Sequence, residues 1–224
     1  MSDLRERALA REPEGDVEAR ASWLRARMRT DELCPSRVRL LAYAGDSAAC
    51  LALGVARGPD PVTDPERFLI DLVEIDLDAA CRLALTCSRP LLAGLHGHAP
   101  WESRPQEAVD ATWAWLETED LAERESARVA ASQAADDAEQ SGDELMDLVI
   151  EGLEVELAVV AWGAAAPTRL ATEIREETLP ALAWDVFREL EAGFAELGNL
   201  EPGSGRSFLA DALEDFRSWC LMTR

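Results

Sequence analysis

The sequence has no lysine, one tyrosine (Tyr43), one asparagine (Asn199) and two histidines (His96 and His98) in 224 residues. Every one of its 22 basic side chains is therefore arginine, which reads as the composition bias of a GC-rich bacterial genome. Without lysine there is no P-loop, and Gly203-Ser204-Gly205-Arg206-Ser207 also lacks the GxSxG elbow, so that glycine-serine stretch reads as a linker and helix cap. No segment alternates apolar and polar residues between hairpin turns, which removes the signal for a sheet. Nor does any uncharged run, Leu157–Thr168 included, approach the ~20 residues a membrane-spanning helix needs.

The five cysteines (Cys34, Cys50, Cys81, Cys87 and Cys220) are odd in number and have no CxxC spacing. With an amino terminus charged from its third residue and no secretory leader, they read as buried thiols of a cytoplasmic protein. Positive charge is scarce after residue 44. Residues 1–44 carry 9 arginines against 8 acids, whereas 102–156 carry 17 acids against Arg104, Arg124 and Arg128; the chain as a whole stands at −22. Such a field repels phosphate and anionic lipid and accelerates encounter with a basic partner, which argues against nucleic acid and membrane as targets. Charge for the solubility of an alanine- and leucine-rich chain is the plainer explanation. The arginines of residues 20–39 could still make a small local basic face.

What is present is helix signal. From Asp143 to Ala166, Asp143, Glu144, Asp147, Glu151 and Glu154 share one arc at 100° per residue, and Met146, Val149, Leu153, Leu157 and Val160 share the opposite one. This stretch predicts an amphipathic helix that starts wet, becomes apolar on every side and ends at Pro167, and the chain is organised around it. Gln140, Ser141 and Gly142 read as a hinge into it, after a polar outer helix over Glu119–Asp137. Earlier in the chain, Asp16 caps a helix whose core stripe is Val17, Ala21, Leu24 and Met28, with a basic rind. Pro35, Gly45, Asp46 and Gly54 delimit two short helices, and Pro65 opens another behind Thr63 or Asp64.

Asp78 reads as the cap of a helix through Leu95 that Pro90 should kink or break, followed by HGHAPWESRP as a turn segment. The helix from Pro105 presents Val109, Thr112, Trp113 and Leu116 to a core. Two more helices follow Thr178 and Arg206. The expectation is an all-α protein of about ten helices in a multi-helix globular bundle, open to helical-repeat-like packing. It forms one domain over 1–224, with 54–65 the place for a subdomain boundary if there is one.

No catalytic constellation emerges. A metal at His96 and His98 lacks an evident third ligand, Glu102 or Cys87 being the nearest candidates, and there is no HExxH. Asp71, Glu74 and Asp78 read as a solvated face. Glu156 falls inside the apolar arc of the central helix, so it needs an arginine, a hydrogen-bond donor or a place at the rim of the core, with Arg82, Arg89 and Arg169 the candidate arginines. Most of the seven tryptophans fall on core stripes; Trp101 and Trp115 fit least well and suit an exposed contact surface.

The run from Asp78 to Leu116 carries CRLALTCSRPLLAGL, the turn HGHAPWES and RPQEAVDATWAWL. In Arg104, Pro105, Glu107, Ala108, Ala114 and Trp115 it resembles the helical immunity proteins of bacterial polymorphic toxin systems. The block CPSRVRLLAYAGDSAACLALG resembles a segment of myxobacterial-type proteins that combine the two. The resemblance covers roughly a quarter of the chain and ends after Thr118, where this sequence turns acidic without histidine. It implies a helical protein that neutralises a toxin, and it brings no catalytic residues.

The reading that follows is an acidic cytoplasmic binding protein, without cofactor or metal, for a basic protein partner such as a toxin. Glu119, Asp120, Glu123, Glu125, Asp147, Glu151 and Glu154 would steer that partner, and Trp101 and Trp115 would anchor it. Two alternatives stand: a structural or adaptor helical module without activity, and, less favoured, a metal-dependent enzyme at His96 and His98.

Overall fold

The computed structural model describes residues 15–60, 63–118, 120–149, 155–172, 178–200 and 208–222. Among these residues every regular element is helical. The chain divides into two compact units, one of residues 1–68 with 213–224 and one of residues 69–212.

In the first unit, α1 (Val17–Arg29), α2 (Pro35–Tyr43) and α3 (Ser47–Leu53) start and stop where the local chemistry directs. The Asp16 carboxylate accepts from the amides of Glu18 and Ala19, and Asp46 accepts from that of Ala49. Gly45 (φ 85°) and Gly54 (φ 68°) take the left-handed conformation that lets the chain turn after α2 and α3. Ala21, Leu24, Val38, Leu41 and Phe68 are fully buried, while Val17, expected on the core stripe, is exposed. The arginine rind is put to structural use. Arg20 pairs with Asp46, Arg25 donates to the carbonyls of Leu51 and Ala52 at the end of α3, and Arg37 lies over Trp219 and donates to the Met222 carbonyl.

The second unit is built on α8 (Val155–Ala165), against which α5 (Leu77–His98), α6 (Arg104–Glu117), α7 (Leu121–Val149) and α10 (Leu179–Leu200) all pack. Leu157, Ala158, Val160, Ala161, Gly163 and Ala164 are buried, so the apolar half of the predicted central helix does lie in a core, but the stretch 143–166 is not one helix: its acidic start ends α7, and α8 packs against α7 as a separate helix. Alanine or glycine fills five of the eleven positions of α8, which lets four neighbours converge on one helix. Where α8 meets α10, a Cβ added to Gly163 would lie 2.7 Å from the Glu189 carbonyl oxygen, 3.1 Å from the Gly193 Cα and 3.2 Å from Leu91 Cδ1. Two facing glycines thus make the hole that Leu91 of α5 fills. On another side, Ala108 of α6, Ala138 of α7 and Ala165 of α8 meet in a cluster of alanines. The short α9 (Thr168–Thr172) follows Pro167. The helices α4 (Pro65–Ile75) and α11 (Phe208–Cys220) contain the two points at which the chain passes between units.

Several boundaries differ from those expected. Residues 140–142 are no hinge: α7 runs through them without a break, with Ser141 and Gly142 buried. Gly142 is small for packing, since an added Cβ would fall 2.1 Å from Trp162 Nε1. Asp76, not Asp78, caps α5, accepting from the Ala79 amide. Pro90 does not end α5; it sits inside the helix at an exposed position, where its ring meets no core packing. The helix takes in His96 and His98 as its last turn, so the turn to α6 shortens to the residues around Trp101. Glu156 is half-buried, which agrees with a place at the rim of the core, and the candidate Arg169 pairs with Glu189. Cys81, Cys87 and Cys220 are buried as expected, but Cys34 and Cys50 are partly exposed.

Gly163→Ala tests the junction. On helix propensity alone the change would stabilise by about 1 kcal/mol. Because the new methyl meets the Glu189 backbone, it should instead destabilise by ~1–3 kcal/mol, read as a lower urea midpoint at unchanged m value.

Candidate partner-binding surface

Helix α7 is two-faced along its length. Ala131, Ala135, Ala138, Ser141, Gly142 and Leu145 are buried at helical spacing, and Asp136, Asp137, Glu139, Asp143, Glu144 and Asp147 occupy the opposite arc, all exposed. Of these six carboxylates, only Glu144 is in an ion pair among the described residues. The sequence reading missed Asp136, Asp137 and Glu139 as part of this face because it divided the helix at Gly142. The signal that finds them is the stripe of small residues, which keeps a helical period straight through the supposed hinge.

Trp101 sits in the turn between α5 and α6 and is 60% exposed. The next residue, Glu102, is buried, and its carboxylate accepts from Arg104 Nε at 2.9 Å and Nη2 at 2.6 Å. The same Nη2 lies 2.8 Å from Glu144 on α7. One guanidinium therefore ties the turn that carries Trp101 to the acidic face. These Arg104 hydrogen bonds hold the Glu102 carboxyl below the usual carboxylate range against the opposing effect of burial. The buried Ser141 hydroxyl contributes in the same direction, although its oxygen makes no aligned hydrogen bond.

The remaining expected site residues do not gather at this place. Trp115 is 6% exposed, on the buried arc of α6 with Ala108, Val109, Thr112 and Leu116, and Arg124 covers its ring at 4.7 Å. It is a core residue and cannot serve as an exposed anchor; Trp113, expected in the core, lies on the flank with Arg82 and Arg89 over it. Asp120 caps α7 by accepting from the amides of Ala122 and Glu123, and Glu125 is held by Arg128 at 2.7 Å. Glu123 is exposed in the first turn. Asp147 is exposed near the other end of α7, roughly 36 Å away at 1.5 Å per residue. Glu119, Glu151 and Glu154 lie outside the described residues.

A cleft of about 350 Å³ opens beside the acidic face, between α7, α8, α9 and α10. Trp162, Val159 and several alanines line it, with Glu139 and Asp143 from α7 and the pair Arg169–Glu189. Arg169 Nη2 lies 2.6 Å from Glu189 Oε1, off the line a hydrogen bond needs. Burial pushes the Glu189 carboxyl above its usual range in spite of that arginine, and the negative charges of Asp185 and Glu139 act in the same direction as burial.

His96 and His98 are both exposed, Cys87 is buried and Glu102 is engaged by Arg104. Among the described residues no three histidine, cysteine or carboxylate side chains converge as a metal site, and no helix is long and apolar enough to cross a membrane. Comparison with family models, with curated proteins and with solved structures finds no match to this chain. The residues that carry the resemblance to immunity proteins have structural roles: Arg104 makes the bridge, Pro105 opens α6, and Glu107 accepts from the Ser103 hydroxyl at 2.7 Å.

The Glu102–Arg104 pair has a definite pH signature. A carboxyl whose folded pKa lies below its ordinary 4.5 adds stability above that pH and loses it as the pH falls through the folded value. Glu102→Gln should therefore lower the melting temperature by a constant amount above about pH 5.5, and the gap to the wild type should close at lower pH.

Proposed function

We propose that the protein is an acidic helical binding protein whose partner is a basic protein, most concretely a toxin that it neutralises in the cytoplasm as an immunity protein. The observation that carries this reading is the exposed Trp101, fixed through Glu102, Arg104 and Glu144 to a helix face whose other carboxylates are in no ion pair among the described residues. The two parts contribute differently. Exposed charge raises the encounter rate and selects basic surfaces, while an aromatic side chain buried on binding supplies affinity. The likeness of the 78–116 segment to immunity proteins narrows the partner class to a toxin.

The test is capture of partners from the native lysate by tagged protein at low and high salt, then measurement of the purified pair. Trp101→Ala should weaken binding by at least about 2 kcal/mol, roughly thirtyfold, mainly through faster dissociation. Reversing Asp137 and Asp147 to arginine should slow association about tenfold at low salt and much less near 1 M, where screening removes steering. Capture that is indifferent to salt and to both sets of changes would overturn this reading in favour of a structural module.

A further inference from the structure

The cleft at Trp162 is separate from the Trp101 turn, and no step so far has used it. Its wall is mixed: Glu139 and Asp143 stand one turn apart on α7, Glu189 enters from α10, and Trp162 and Val159 supply apolar surface from α8. Among the described residues, three lining carboxylates share one guanidinium, Arg169, which is already engaged with Glu189. The lining thus carries an excess of two negative charges in a recess partly closed by hydrocarbon. The field of Glu139 reaches across the recess as far as Glu189. A volume of about 350 Å³ lies within the range of small-molecule sites.

We propose that this cleft is a binding site for an aliphatic organic cation, an ammonium or guanidinium group on a hydrocarbon arm. The charged end is received by Glu139 and Asp143, and the arm lies along Trp162 and Val159. An indole beside paired carboxylates suits such a ligand twice over, since it covers the methylenes and its π face attracts the cation. A simple metal ion would gain nothing from the apolar wall, and an anion would meet three carboxylates. The cleft shares Glu139 and Asp143 with the acidic face of α7, but its ligand is a small molecule and the partner reading is tested at other residues, Trp101, Asp137 and Asp147.

The experiment is calorimetric titration of the full chain with agmatine, which carries a guanidinium and an ammonium on a four-carbon arm, with butyrate as the anionic control. One agmatine should bind per chain and butyrate should not bind. Replacing the exposed pair as Glu139→Gln with Asp143→Asn should weaken agmatine at least tenfold without changing the circular dichroism spectrum. The same charge change at the far end of α7, Glu123→Gln with Glu125→Gln, should alter affinity less than twofold. No heat of binding in the wild type, or equal weakening by both double variants, would overturn the proposal. Either result leaves partner capture through Trp101 unaffected, so the two readings fail separately.

Discussion

The second unit depends on one close contact, where α8 and α10 approach through Gly163 and Gly193 and Leu91 of α5 fills the space between them. A Cβ on Gly163 would meet the Glu189 backbone at 2.7 Å and one on Gly193 would press on Leu91 Cδ1 at 3.1 Å, so the backbones of α8 and α10 set their own spacing and the Leu91 side chain sets that of α5. The entropic disadvantage of glycine within a helix is offset by dispersion contacts that larger residues would prevent. Everything around α8 follows the same constraint. Its alanines admit α6 and α7, and Gly142 admits the Trp162 ring. The cleft begins where this dense packing ends.

Much of the architecture was legible from local chemistry. Asp16, Asp46, Gly45, Gly54, Pro35 and Pro65 mark helix ends through backbone rules that need no tertiary information, and they do so here. The failures share one cause. Gly142 and Pro90 are read locally as breaks, yet the helix continues through Gly142 at a packed position and through Pro90 at an exposed one. The same limit affected the tryptophans, because Trp113 and Trp115 are only two residues apart on one helix. Which of them is core is decided by where α5 and α7 lie, and the sequence of α6 alone does not hold that information.

The acidic surface was legible as composition before it was legible as geometry. Counting charges located an excess in residues 102–156 but could not separate carboxylates with local duties from those without. Asp120 caps a helix, Glu125 and Glu144 hold arginines and Glu102 is buried, whereas Asp136, Asp137 and Asp147 have no such duty among the described residues. That division turns a diffuse charge into one face of one helix. Arg104 then relates the face to an exposed aromatic side chain, a link invisible in the sequence because its two carboxylates are 42 positions apart.

The thiols of α5 give the second unit an internal clock. Burial pushes the Cys87 thiol up to about 12 and the Cys81 thiol higher still, with Arg124 and Arg82 too weak to offset it at Cys81. In the closed protein neither thiolate forms to any useful extent at neutral pH, and an alkylating reagent has no path to either sulfur. Their modification therefore waits on the opening of α5, and its rate reports the free energy of that opening. The helix whose leucine fills the glycine junction carries the reporters for how often that junction comes apart.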